Sequence, residues 1–188
     1  MSAAQPAARA PDAFRLAVES LESAVIRAEV RVESIRAPQR LAPFSFALSA
    51  DVIGDEDGDT TTGRLVLLHD PDGTDAWDGD MRLVAYASAD LAPDMAGDPL
   101  LPIVGWSWLT SALEERGAGY TAAGGTVTQT TSTRFGDVHG PASTTALELR
   151  GSWTPTGPDL APHLQAFVDV LATAAGLPPE GVTSINRP

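Results

Sequence analysis

The chain has 188 residues and is 43% hydrophobic, which suits one globular domain with a sizeable core and is tight for two. It has no cysteine and all 12 basic residues are arginine, which excludes disulfides, thiol nucleophiles, thiolate metal sites, Schiff-base lysines and phosphate-loop lysines. A net charge of −13 and a pI near 4.4 repel phosphate, so a duplex-binding surface is not expected.

Residues 1–10 are Ala/Pro-rich and are expected to be a disordered tail, followed by a single α+β domain over 11–182 and a loose tail at 183–188. Phe14, Ala17, Val18 and Leu21 recur at helical spacing and predict a first amphipathic helix. In "AEVRVESI", Val30 and Val32 alternate with Glu29, Arg31 and Glu33, a half-buried strand that ends before Pro38. "PFSFALSADV" is a second strand, with Phe44, Phe46, Leu48, Ala50 and Val52 on one face and Ser45, Ser49 and Asp51 on the other. "GRLVLLHD" is apolar on both faces and predicts a central strand covered on both sides. "DPDGTDAWDGD" reads as a long acidic hairpin loop, after which "MRLVAYASA" returns with Leu83 and Ala85 facing one way and Val84 and Tyr86 the other.

A Pro-rich stretch then leads into the helix that carries "GWSWL". "YTAAGGTVTQTTSTRF" and "STTALELRGSW" read as a hairpin. Its first strand is polar on both faces, as an edge strand or the lining of a wet groove would be, and Gly124–Gly125 marks a bulge or bend. Leu160, Leu164, Phe167, Leu171 and Ala174 form the stripe of a last helix, with Asp159 as N-cap and Gly176 then Pro178 as the stop. The order is therefore α-β-β-β-β-α-β-β-α, an α+β fold with three helices and a mainly antiparallel sheet of about six strands.

Trp106 aligns with Leu109 and Leu113 at helical spacing and is expected in the core. Trp108 is expected to point away, roughly over Ser111 and Glu115, either under a neighbouring loop or in a binding groove. "GWSWL" lacks the second glycine of a nucleophile elbow, so Ser107 is read as an ordinary helix-start residue. "DEDGDT" and "DPDGTD" place acids at alternate positions, but a calcium loop starting at Asp55 has Thr60 sixth and Val66 twelfth, and one starting at Asp70 has Asp75 and Met81. Both are read as solvated turns, and no metal and no cofactor are expected. His69, His139 and His163 lack the spacing of a helical zinc site. His69 beside Asp70 could be an oriented general base, though a surface histidine is the commoner outcome. Arg134, Asp137, Glu148 and Arg150 are expected to form cross-strand ion pairs in the last hairpin.

The stretches "PQRLAPFSFALSADV", "GRLVLLHDPDG", "WDGDMRLVAYASADL", "DPLLPIVGWSWL", "GGTVTQTTSTRFGD" and "ELRGSWTP" together resemble the actinobacterial family catalogued as domain of unknown function 3000, over about Asp12 to Val182. A GC-rich coding bias, visible as arginine without lysine and abundant Ala and Gly, fits that resemblance. It implies a cytoplasmic bacterial protein and supplies no activity, cofactor or catalytic residue. The element order is also similar, at the level of fold alone, to small acidic dimeric chaperones of type III secretion, with one extra strand here.

With no coherent catalytic set in the sequence, the leading expectation is a non-enzymatic cytoplasmic protein-interaction module, chaperone-like or an adaptor. Its partner would be a second copy (a homodimer) or another protein, with no nucleic acid and no membrane. The alternative is a small-molecule-binding protein or hydrolytic enzyme with a pocket between the GWSW helix and the sheet. The candidate binding residues are Trp108, Tyr86, His69 and Trp77.

Overall fold

A computed structural model describes residues 10–53, 61–91 and 97–180. These form α1 (Asp12–Glu22), β1 (Val30–Ile35), β2 (Phe44–Val52), β3 (Thr62–Thr74), β4 (Gly79–Leu91), α2 (Leu101–Glu115), β5 (Tyr120–Thr133), β6 (Ser143–Pro155) and α3 (Ala161–Ala174). The element order and the α+β class are those read from the sequence. All the pairings are antiparallel, in the order β1-β2-β3-β4-β6-β5. The first four strands form a meander. α2 then carries the chain past the position of β6, so that β5 forms the outer edge and β6 fills the gap beside β4.

Period-two alternation sorts the strands onto two faces. Phe46, Leu48, Leu65, Leu67, Leu83 and Ala85 share one face through the paired register, and the three helices lie on it. A Cβ on Gly63 would meet Phe167 Cζ of α3 at 2.6 Å, and one on Gly125 would meet Trp106 of α2 at 2.7 Å. Phe14 of α1 lies 5.8 Å from the Phe44 ring. The middle of this layer is α3, buried on nearly all sides between the sheet, α1 and α2.

The N-terminus of α3 is held from two directions. Asp159 Oδ1 accepts the Ala161 N–H at 3.1 Å, and Ser20 Oγ of α1 accepts the N–H groups of Leu160 and Ala161 at 2.7 and 3.0 Å. Ser20 in turn donates to Asp159 at 2.6 Å, so one serine both supplies cap acceptors and ties α1 to α3. These hydrogen bonds hold the Asp159 carboxyl below the usual carboxylate range.

Three expectations are corrected. β3 is covered on both sides only near Leu68, which is buried on the face away from the helices; elsewhere Leu65 and Leu67 are buried while Arg64 opposite is exposed and Val66 half-buried, because the helices stack on one face only. The acidic stretch after His69 is not a long loop. The β3–β4 ladder continues to Thr74 and Gly79, and a single 3-10 turn at Asp75–Trp77 reverses the chain. Glu148 and Arg150 do pair, at 2.7 Å, but along one strand rather than across two, because residues two apart on a strand share a face. In the same hairpin Arg134 donates instead to the Pro141 carbonyl.

The polar strand β5 is an edge strand, and its register shifts between Thr121 and Gly124, where the double glycine predicted a bulge. Gly125 cannot be otherwise: a Cβ there would lie 2.2 Å from the Arg150 carbonyl oxygen. The expected tails fall mostly outside the described residues, as do Asp55, Asp57 and Asp59 of the first acidic loop.

Candidate functional site

The open face of the sheet carries Ser49 and Asp51 from β2, Arg64 and Val66 from β3, Val84 and Tyr86 from β4, and Arg150 from β6. These residues line a hollow of about 670 Å³. Its polar row runs Ser49–Arg64–Tyr86–Arg150 and its neighbouring apolar pair is Val66–Val84, each a set of directly opposed cross-strand positions.

Side-chain bonds organise this face. The Arg150 guanidinium sits 5.6 Å from the Tyr86 ring centroid, a cation–π contact, and donates to Glu148 Oε1 at 2.7 Å. Tyr86 donates to the other carboxylate oxygen at 3.0 Å. Arg150 first, and Tyr86 second, hold the Glu148 carboxyl below the usual carboxylate range. Farther along the same β4–β6 pair, Arg82 donates to the hydroxyls of Ser152 and Thr154 at 2.8 and 3.0 Å. It does so without a described carboxylate partner, and desolvation lowers its pKa from the ordinary value.

This arrangement is suited to recognition. Glu148, ionised and doubly hydrogen-bonded, is a poor proton donor, and no described histidine lies on this face to activate Ser49 or Thr62. Arg64 and Arg150 on either side of an aromatic ring offer planar donors and a π surface to carboxylates and side chains of a partner. Among the described residues no group of three His, Asp or Glu side chains gathers as a metal site would require.

The four candidate residues are not brought together. Tyr86 alone lies on the open face. His69 is 2% exposed on the covered face, stacked on Phe14 at 5.9 Å, with Nδ1 3.0 Å from the Asp80 carbonyl oxygen. It is therefore no surface histidine, and its partner is a backbone carbonyl rather than Asp70. Period two along Gly63, Leu65, Leu67 and His69 already placed it on the core side. Trp77 is at the tip of the β3–β4 hairpin, where its carbonyl accepts the Thr154 hydroxyl.

Trp108 does not point away from the core. The buried positions of α2 are Leu101, Gly105, Leu109, Ala112 and Leu113, a stripe that runs between the two tryptophans. Both rings are half-buried against the core: Trp106 lies over Gly125 and Gly151, and Trp108 reaches toward α3. Trp108 lines a void of about 10 Å³ with Ala87, Leu147, Val170 and Ala174. That space is at the lower limit for a single water molecule.

Two bonded groups, one buried and one half-buried, are not among the candidates marked out by the sequence. His163, 1% exposed, accepts the Trp153 indole N–H on Nδ1 at 3.0 Å. Desolvation lowers its pKa to about 4, against a smaller upward pull from Asp159. The signal was available, since His163 stands at i+3 from Leu160 and i−4 from Phe167 on the α3 stripe. The second is Arg116, which binds Asp169 bidentately at 2.6 and 2.8 Å and Glu180 at 2.9 Å, locking α2 to α3. These carboxylates, led by Asp169, raise its pKa.

A family model described as "Protein of unknown function (DUF3000)" matches residues 10–183. The chain belongs to that family. The match takes in all the described elements, so the sheet with its open face and the helix layer belong to one family domain. No curated protein and no solved structure matches the chain. No helix among the described residues is long and apolar enough to cross a membrane.

Proposed function

We propose that the protein is a non-enzymatic interaction module that binds another protein on the open face of its sheet. The observation that carries this reading is the charge balance of that face. Through the strand register it holds Arg31, Arg64, Arg82 and Arg150 against Glu33, Asp51, Asp90 and Glu148. Along the regular ladder that is four arginines and four acids, with Asp80 just beyond it toward the hairpin tip, in a chain with 25 acids and 12 arginines in all. A mixed-sign surface with the apolar pair Val66 and Val84 is the part of an acidic protein best suited to protein contact.

The lack of cysteine fits work in a reducing cytoplasm, and the all-arginine basic set fits an actinobacterial source. The reading is tested by affinity capture from native lysate with the wild type and with a Tyr86→Ala, Arg64→Glu variant. A partner retained by the wild type and lost by the variant supports the open face. Identical partners for both would overturn it.

A further inference from the structure

The two edges of the sheet are protected very differently. β1 is six residues long and carries Arg31 and Glu33. β5 is 14 residues long and contains no charged residue and no proline. An unpaired edge presents free N–H and C=O groups, and proteins ordinarily blunt it with short length, charge, proline or a bulge. The bulge of β5 lies between Thr121 and Gly124, which leaves Thr126–Thr133 in regular register with β6 and, among the described residues, without a strand on its outer side.

A second observation lies beside this edge. In and just before the first turns of α2, Leu100 and Ile103 are 59% and 69% exposed. Ile103 joins Pro102, Trp106, Gly125 and Val127 around an open, mainly apolar groove of about 300 Å³ that runs between α2 and β5. A bare edge and an apolar helix flank thus lie next to each other.

One symmetry operation satisfies both. We infer that β5 pairs antiparallel with β5 of a second copy of this chain about a two-fold axis perpendicular to the sheet, and that this contact also closes the α2–β5 groove. The operation continues the sheet from one copy into the next and keeps both helix layers on the same side. The α2 helices then approach each other over the junction, and Ile103 and Leu100 face an apolar partner. The contact is isologous and closes on itself, so it stops at a dimer rather than growing a filament.

Charge selects a second copy and this edge. A chain at −13 repels its own copy over most of its surface, and β5 brings no charge to the junction. Thr126, Thr128 and Thr130 share one face of the strand, so the copies would meet through threonine pairs, which are favourable cross-strand neighbours. The open faces of both copies stay free on the opposite side from the helices. The inference therefore goes beyond the docking reading and does not depend on it.

The test uses the full chain. Sedimentation should give a dimer mass, and Ile103→Asp should weaken association by about tenfold or more, as loss of a central contact does. Its circular dichroism and melt should match the wild type. Because the chain has no cysteine, any disulfide from a single introduced one joins two copies. Among Thr126→Cys, Thr128→Cys, Thr130→Cys and Ser132→Cys, the variant nearest the axis should oxidise to a covalent dimer, and Val84→Cys on the open face should not. A monomer at every accessible concentration overturns the inference. So does cross-linking through Val84→Cys in place of β5, which would mean pairing by the open faces. The monomer result leaves capture of a different protein by the open face untouched, whereas the Val84→Cys result would put a second copy on that face.

Discussion

On the covered face of the sheet Leu65, Leu67 and Leu83 are at most 1% exposed, while on the other face of the same strands Arg64 is exposed and Val84 is 36% exposed. Successive residues of one strand thus sit in different solvents. Burial against α1, α2 and α3 decides stability, and the open face, held by Arg–hydroxyl and Arg–carboxylate bonds, adds little to it. If the comparison is sound, substitutions one residue apart should differ by several kcal/mol in the melt and by the opposite order in binding.

The largest effect is expected at Phe167, which is 0% exposed and fills the space above Gly63. Phe167→Ala should cost about 3–5 kcal/mol in urea denaturation, as truncation of a core aromatic does. A loss below 1 kcal/mol would mean that α3 is not the centre of the helix layer.

Next is an acid sensitivity confined to the covered side. His163 is neutral in the folded state because burial lowers its pKa to about 4, against an ordinary 6.5. The unfolded chain therefore takes up the proton first as pH falls, and stability drops through the window from 6.5 down to about 4. The loss is on the order of 3 kcal/mol. His163→Gln keeps an acceptor for the Trp153 indole and has no titration, so it should remove that part of the slope. An unchanged slope between the two proteins would show that carboxylates alone produce it.

Helix and strand existence was legible because the chain keeps clean periods: Phe44 to Val52 alternate, and Leu160 to Leu171 repeat at helical spacing. What period cannot give is which face the helices choose. Leu65, Val66, Leu67 and Leu68 look alike in sequence, and only the stacking of all three helices on one side separates Leu67 from Val66. The tryptophans failed for a related reason. A stripe through Leu109 and Leu113 alone is too narrow: Leu101, Gly105 and Ala112 widen it to include both rings, because α2 packs on the sheet below and on α3 beside it. The Tyr86–Arg150–Glu148 cluster was out of reach, since it needs the β4–β6 register, which follows from β6 inserting between β4 and β5.

The tryptophans place a middle-sized effect on the covered side. Both are half-buried against the core, so Trp106→Ala and Trp108→Ala should each lose about 2–3 kcal/mol, less than the 3–5 of a fully buried ring. Thermal melts of the pair check this. A Trp108→Ala protein that melts like the wild type would return that ring to the role of an exposed anchor.

The smallest expected change in stability is at Arg64, and it separates the two faces most sharply. Arg64 is exposed on β3 and pairs across the strands with Ser49 and Tyr86, with no salt bridge among the described residues. Arg64→Ala should therefore alter the melt by no more than about 0.5 kcal/mol, even though Leu65, the next residue, is 1% exposed and Leu65→Ala should cost about 2–5 kcal/mol. The arginine supplies one of four positive charges on the open face, so its loss tips that surface toward the −13 of the whole chain. Capture of a partner should weaken, and should weaken most at low salt, where unscreened charge carries furthest. A partner that binds Arg64→Ala and wild type alike at every ionic strength must dock elsewhere, and the covered face would then be the only side of the sheet with an assigned purpose.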